Sequence, residues 1–345
     1  MRNRIIAGVL AASLLAVLAG AEAFAWGATG HYLINRVAVE QLPANLPAFV
    51  RSSAAVFEIA TLGPEADRVK GSGQTFDQDT EHAHFIDVKD DGSIAGTVTL
   101  ASLPATREAY DTALRSAGTD QYKIGYLPYE IVDGYEHVVT DFGYWRVAAA
   151  AERQATGTED KSFFNAQRLL REALVLRDIG YWGHFVADAS QPLHISIHYN
   201  GWNSNREDKY PNAKGYTNSH TIHARFESAL VAATATDAGI TSRVKPFVPA
   251  SQPILAQVET YLQATLAGVP TVYELENHGA IDGHAPEAVN FALDRLAAGA
   301  TELRDLIAEA WDESATHPVG YPAASPASFE NNADLAHARA VLGGS

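Results

Sequence analysis

The chain has 345 residues, 47% of them hydrophobic, with no cysteine and a formal charge of −16. Without cysteine there are no disulfides, no thiolate metal ligands and no thiol nucleophiles, so any metal must be held by nitrogen and oxygen donors. The acid excess excludes long-range attraction of phosphate backbones, and an anionic substrate would have to be held by cations placed locally.

The chain opens with Arg2 and Arg4, an apolar run from Ile5 to Gly20, and the small-x-small triplet Ala23-Phe24-Ala25. This is the pattern of a cleavable secretory signal, and the run is short for a bilayer span of roughly 20 residues. The expectation is a periplasmic or secreted protein beginning at Trp26. Cleavage removes Arg2, Arg4 and Glu22, which leaves the remainder one charge more acidic. Residues 26–345 are enough for one large domain or two small ones with a substantial core.

Apolar periodicity predicts helices over Ala28 to Leu42, from Leu127-Pro128 towards Arg153, and over Ser162 to Asp188, Ser251 to Leu266 and Pro286 to Trp311. Pro286 suits a first helical turn, where its missing N–H costs nothing. Gly71 to Ala101, Ser190 to Ser219 and Thr316 to Asn332 carry Gly, Pro, Asn and Asp clusters and read as long loops. The expected architecture is one all-α domain whose loops carry function.

The densest chemistry lies in Gly183-His184-Phe185-Val186-Ala187-Asp188-Ala189-Ser190-Gln191-Pro192-Leu193-His194. His184 and Asp188 are four apart, so they share one helix face. Gln191-Pro192 ends the helix and lets His194 fold back towards them. His223 and Glu227 repeat the four-residue spacing; His220 lies nearby, but only His223 is paired with an acid in this way. Cleavage before Trp26 would expose an α-amine, a good nitrogen ligand for a borderline metal, with His31 close enough to chelate the same ion. Further donors stand in Pro64-Glu65-Ala66-Asp67-Arg68-Val69-Lys70 and in His82-Ala83-His84-Phe85-Ile86-Asp87. The remaining histidines, His82, His137, His198, His278, His284, His317 and His337, read as surface or hydrogen-bonded side chains.

From Trp26 to Glu227 these residues resemble the superfamily of zinc-dependent phosphodiesterases that contains the single-strand-specific nucleases (the S-one/P-one type) and the bacterial zinc phospholipases C. The resemblance implies a mainly helical fold around three zinc ions. It implies that Asp67, His84, His184 and Asp188 hold the first ion, and His194, His223 and Glu227 the second. It implies that Trp26 and His31 hold the third, with Asp188 bridging to the first. Asp87 and Lys70 match an acid and a base that the nucleases place beside the scissile phosphate. Nitrogen and oxygen ligands with open positions suit catalytic zinc.

The substrate is less sharply indicated. Glu227 matches the phospholipases, whereas the close Trp26/His31 pair and Lys70 three residues after Asp67 resemble the nucleases. The segment His198-Tyr199-Asn200-Gly201-Trp202-Asn203 lacks the glycine-rich acidic stretch usual in nucleases. The leading expectation is a single-strand-specific endonuclease and 3′-nucleotidase acting on RNA or DNA, with Phe85, Tyr199 and Trp202 as base-stacking candidates. A phospholipase C is the alternative. A non-catalytic zinc-binding protein is a third reading, which leaves Lys70 and Asp87 without a reason. Neither a His-Glu-x-x-His nor a Gly-x-Ser-x-Gly pattern is present to support a zinc protease or a serine hydrolase.

Overall fold

A computed structural model describes residues 26–204 and 210–344. The expected signal segment lies outside the described residues. The fold is mainly helical. Its principal helices are α1 (Gly27–Glu40), α2 (Ser53–Leu62), α3 (Arg107–Ser116), α4 (Leu127–Gln154), α5 (Thr158–Asp188), α6 (Ile254–Leu266), α7 (Val269–Asn277), α8 (Pro286–Glu313) and α9 (Leu335–Val341). Among the described residues the sheet structure is one short antiparallel pair, Ser93–Ile94 with Val98–Thr99. No helix among them is long and apolar enough to cross a membrane.

Five of these helices match the apolar periodicity, with shifted ends. α5 begins earlier than expected, at Thr158, because Glu159 and Asp160 place negative charge at the positive end of the helix dipole. α6 begins later, at Ile254, because Pro253 forces Gln252 out of helical geometry. The helices α2, α3, α7 and α9 were not anticipated. Three of them carry short polar caps: Ser52 accepts from the Ala55 amide at 3.1 Å, Thr106 from Ala109 at 3.1 Å and Asp334 from Ala336 at 3.0 Å.

The stretch expected to be a bare loop after Gly71 contains a short helix, Thr75–Thr80, and a 3₁₀ turn, Glu81–His84. Asp77 organises it by accepting from the Gly71 and Gly73 amides at 3.2 and 2.9 Å. Thr316 to Asn332 likewise carries a 3₁₀ turn, Pro326–Phe329, that packs Phe329 with Val147, Phe164 and Val341 in a small apolar cluster.

The long helices α4 and α5 form a hairpin, and α1 crosses α2, α5 and α8. Two glycines permit the closest approach. A Cβ on Gly180 would lie 2.6 Å from the Leu62 side chain, and one on Gly183 would lie 2.4 Å from Asn35 Oδ1. Each glycine costs a helix interior roughly 1 kcal/mol relative to alanine. In return, α1 and α2 sit against the C-terminal half of α5. Asn35, wholly buried, ties the three helices by donating to the carbonyls of Ile59 (3.1 Å) and Gly180 (2.9 Å).

Candidate metal centre

The C-terminal end of α5 lies in the middle of the molecule, where His184 and Asp188 are wholly buried one turn apart. Gln191 and Pro192 stop the helix, and Gln191 Oε1 accepts from the Leu193 amide at 2.6 Å. The 3₁₀ turn Pro192–His194 then returns His194 to the same region. His223 stands on a short helical turn that passes into a π-helical segment, Arg225–Leu230, which carries Glu227. The pair therefore spans a change of helix type rather than one regular face. Such wide turns recur at functional sites.

These elements gather the expected donors into three buried groups: His31/His184/Asp188, Asp67/His84/His184 and His194/His223/Glu227, each with its donor atoms within 4.8 Å of one another. Each group could hold a metal ion, the first two sharing His184, whose one free ring nitrogen serves a single ion at a time. In the group around α5, His84 Nδ1 lies 3.0 Å from His184 Nε2 and 3.1 Å from Asp188 Oδ2, and Asp67 Oδ1 lies 3.7 Å from His184 Nε2. The other Asp188 oxygen, Oδ1, turns to His31 Nε2 at 3.4 Å. In the remaining group His194 Nε2 and His223 Nε2 are 3.1 Å apart, and Glu227 Oε2 lies 2.8 Å from the latter. Donors on a tetrahedral ion with bonds of about 2.0–2.1 Å stand roughly 3.3 Å from each other, close to these separations.

The hydrogen bonds around the imidazoles set their tautomers. His184 Nδ1 faces the Gly63 carbonyl at 2.8 Å, His194 Nδ1 that of His84 at 2.6 Å, and His223 Nδ1 that of Tyr199 at 2.7 Å. A carbonyl only accepts, so each Nδ1 carries a proton, and in the neutral ring each Nε2 presents a lone pair to the centre. Two such lone pairs 3.1 Å apart repel unless a cation lies between them. Several buried atoms also have no hydrogen-bond partner among the described residues: both nitrogens of His31, Asp67 Oδ2, Asp188 Oδ1 and Glu227 Oε1. Orphaned buried polar atoms are costly, and here they converge on one place.

Charge is distributed to match. Burial lowers His31 well below the ordinary histidine range, reinforced by His184, and burial with the Lys70 ammonium pushes His84 down to about 3. Burial alone would raise Asp188 and Glu227. The facing histidines reverse this: His184 and His194 hold Asp188 well below the usual carboxylate range, and His223 and His194 hold Glu227 down to about 2.

Trp26 is wholly buried, with a left-handed backbone (φ 44°), and its indole donates to the Ala187 carbonyl at 2.9 Å and to Ser190 Oγ at 2.8 Å. The ring thus pins the start of α1 to the end of α5. Trp26 and Asp67 share the wall of a groove of about 480 Å³. On the other side of Lys70, a cleft of about 520 Å³ is lined by Lys70, His84, Phe85, Asp87, Lys123 and Tyr199. Lys70 Nζ lies 3.2 Å from Asp67 Oδ1. Burial pushes the Asp87 carboxyl up to about 8.

Of the three aromatic candidates, Phe85 and Tyr199 line the cleft, whereas Trp202 does not. Its ring is buried and stacked on His198 with centroids 3.6 Å apart. The face offered to a base is already occupied, which corrects that expectation. Two supporting residues escaped the sequence reading. Gln191, read only as a helix stop, donates from Nε2 to Glu227 Oε2 at 3.0 Å. Asn35 carries no motif at all. Comparison with models of known protein families and with characterised proteins found no match to this chain.

Proposed function

We propose that this protein is an exported zinc-dependent phosphodiesterase with the helical fold of the single-strand nucleases and zinc phospholipases C, and that it cleaves single-stranded RNA or DNA. The observation that carries this reading is the gathering of buried donors, several of them orphaned, into three groups, two of which reach the cleft bearing Lys70 and Asp87 through His84, His194 and His223. Histidine and carboxylate donors without thiolate, spaced for a tetrahedral ion, favour zinc. Asp67, His84, His184 and Asp188 would hold one ion, His194, His223 and Glu227 a second, and Trp26 with His31 and Asp188 Oδ1 a third. Zinc in such a site supplies a hydroxide near neutral pH and neutralises phosphoryl oxygens.

The chain's own residues do the rest. Lys70 reaches the cleft as a point charge for a phosphate oxygen. Asp87, held protonated by burial in the metal-free protein, can donate or accept one hydrogen bond at the cleft wall. Phe85 and Tyr199 offer apolar faces to a base. Lys123, paired with Asp120 at 3.6 Å, brings a second cation to the same cleft, which Glu81 also lines.

A phospholipase C is the second reading, favoured by Glu227. The test is a side-by-side assay of protein beginning at Trp26 on single-stranded DNA, single-stranded RNA and phosphatidylcholine, with zinc quantified. Nucleic-acid cleavage is expected. Cleavage of the lipid alone would overturn the nuclease assignment.

A further inference from the structure

His223 is oriented from outside the donor group. Its Nδ1 donates to the Tyr199 carbonyl at 2.7 Å, and its main-chain amide meets Asn200 Oδ1 at 3.3 Å. The segment that supplies both contacts, His198 to Gly201, is not part of a helix, so something else must fix it. Tyr273, on α7 and wholly buried, does so from both sides. Its hydroxyl donates to the His198 carbonyl at 2.6 Å and accepts from the Gly201 amide at 3.0 Å. One phenol oxygen therefore brackets the Tyr199 peptide. His198 extends the same support: its Nδ1 accepts from the Asn203 amide at 2.7 Å, which leaves Nε2–H to donate to Asp90 at 3.1 Å.

We propose that Tyr273 is a positioning residue for the metal held by His194, His223 and Glu227, fixing the Tyr199 carbonyl so that His223 keeps its proton on Nδ1 and presents Nε2. The inference rests on the metal reading given above. Partners of this kind set ligand tautomer and ring angle, and losing one typically weakens a metal by 10–100-fold. Tyr273→Phe removes both hydrogen bonds while keeping the ring. Tyr216, in the same aromatic cluster (ring centroids 5.4 Å from Tyr273), bonds Glu274 through its hydroxyl at 3.1 Å, so Tyr216→Phe is the packing control.

The experiment titrates metal-free full-length mature protein with zinc against a chromogenic chelator, resolving each affinity, and repeats it with cobalt to read the visible absorption of each site. His223→Ala marks which ion belongs to His223. Tyr273→Phe is expected to weaken that ion about 10–100-fold and to alter its cobalt spectrum, while the other ions and Tyr216→Phe stay at wild-type values. Asp90→Ala, at a half-exposed position, should fold regardless and weaken the same ion by a smaller factor. Wild-type affinity for that ion in both Tyr273→Phe and Asp90→Ala overturns the positioning role. Equal weakening of every ion overturns it too, because the effect would then be general. Full zinc retention in His223→Ala overturns the metal reading itself, and the inference with it.

Discussion

The imidazoles of His31 and His184 lie face to face, with centroids 3.8 Å apart and planes within 13° of parallel. Two protonated rings could not stay there. Asp188 stands beside both, with Oδ1 towards His31 and Oδ2 towards His184. One carboxylate thus joins the donors at the start of α1 to those at the end of α5, and the centre behaves as a unit.

Metal content follows from that sharing. The proposed ligand sets, with the Trp26 amine completing the His31 site, predict close to three zinc ions in wild-type protein after dialysis against metal-free buffer. Asp188→Ala should lose more than one ion, because it faces two groups, whereas His223→Ala should lose one. Elemental analysis decides, and a wild-type value at or below one ion per chain would sink the reading.

The N-terminus supplies a second prediction. Trp26 is pinned by its indole bonds to Ala187 and Ser190, so an added residue before it should leave the fold intact. The addition would still turn the amine into an amide, a poor ligand. Protein beginning Met-Trp26 should therefore melt normally when metal-free, yet hold one zinc fewer and lose most activity. Full activity with a verified extra residue would show that this amine is not used.

Acid should act through His84. Burial holds it at about 3 in the folded metal-free protein, while an unfolded imidazole titrates near 6.5. The unfolded state therefore binds the extra proton between those values. Stability from this group is present above about pH 6.5 and is lost as pH falls towards about 3. Thermal midpoints of metal-free protein should drop across that window. Excess zinc should move the loss to lower pH, since bound metal excludes the proton. Identical profiles with and without zinc would contradict this.

Glu302, outside the three donor groups, gives the opposite sign. It faces a cavity of about 740 Å³ between α6 and α8, and burial, reinforced by Asp305 and Glu309, pushes it up to about 8. Its contribution is present below the unfolded value near 4.3 and is lost as pH rises towards about 8. Glu302→Gln should stabilise the protein at pH 8 by on the order of 1–3 kcal/mol and do little at pH 4. Melts at the two pH values test it; an equal effect at both would mean that the carboxyl titrates normally.

On the proposed reading, Lys70 and Asp87 separate catalysis from metal binding. The three groups can be built from histidine and carboxylate donors and Lys70 bears an ammonium paired with Asp67, so Lys70→Ala should keep its zinc and cost on the order of 10²-fold in turnover on single-stranded nucleic acid. Asp87→Asn should behave alike. An unaffected rate would reduce Lys70 to a structural partner of Asp67, with which it pairs at 3.2 Å.

By itself the sequence determined the helical class and the local halves of the site. The apolar periodicity of α5, the proline at the start of α8, and the four-residue spacings of His184/Asp188 and His223/Glu227 are short-range patterns, set by residues within a turn or two. Even there it left out the π-helical turn that carries Glu227, because a widened turn has no composition of its own.

The tertiary structure decided which donors meet. Asp67 sits on a 3₁₀ turn just after α2, which packs against Gly180, whereas His84 sits on a 3₁₀ turn packed on α4 and α5. The orientation of His184, His194 and His223 depends on the carbonyls of Gly63, His84 and Tyr199. Every residue has a carbonyl, so no side-chain pattern could reveal these three. Trp202 was misread for the same reason: an aromatic ring looks alike in sequence whether its face is open or covered, and here His198 covers it.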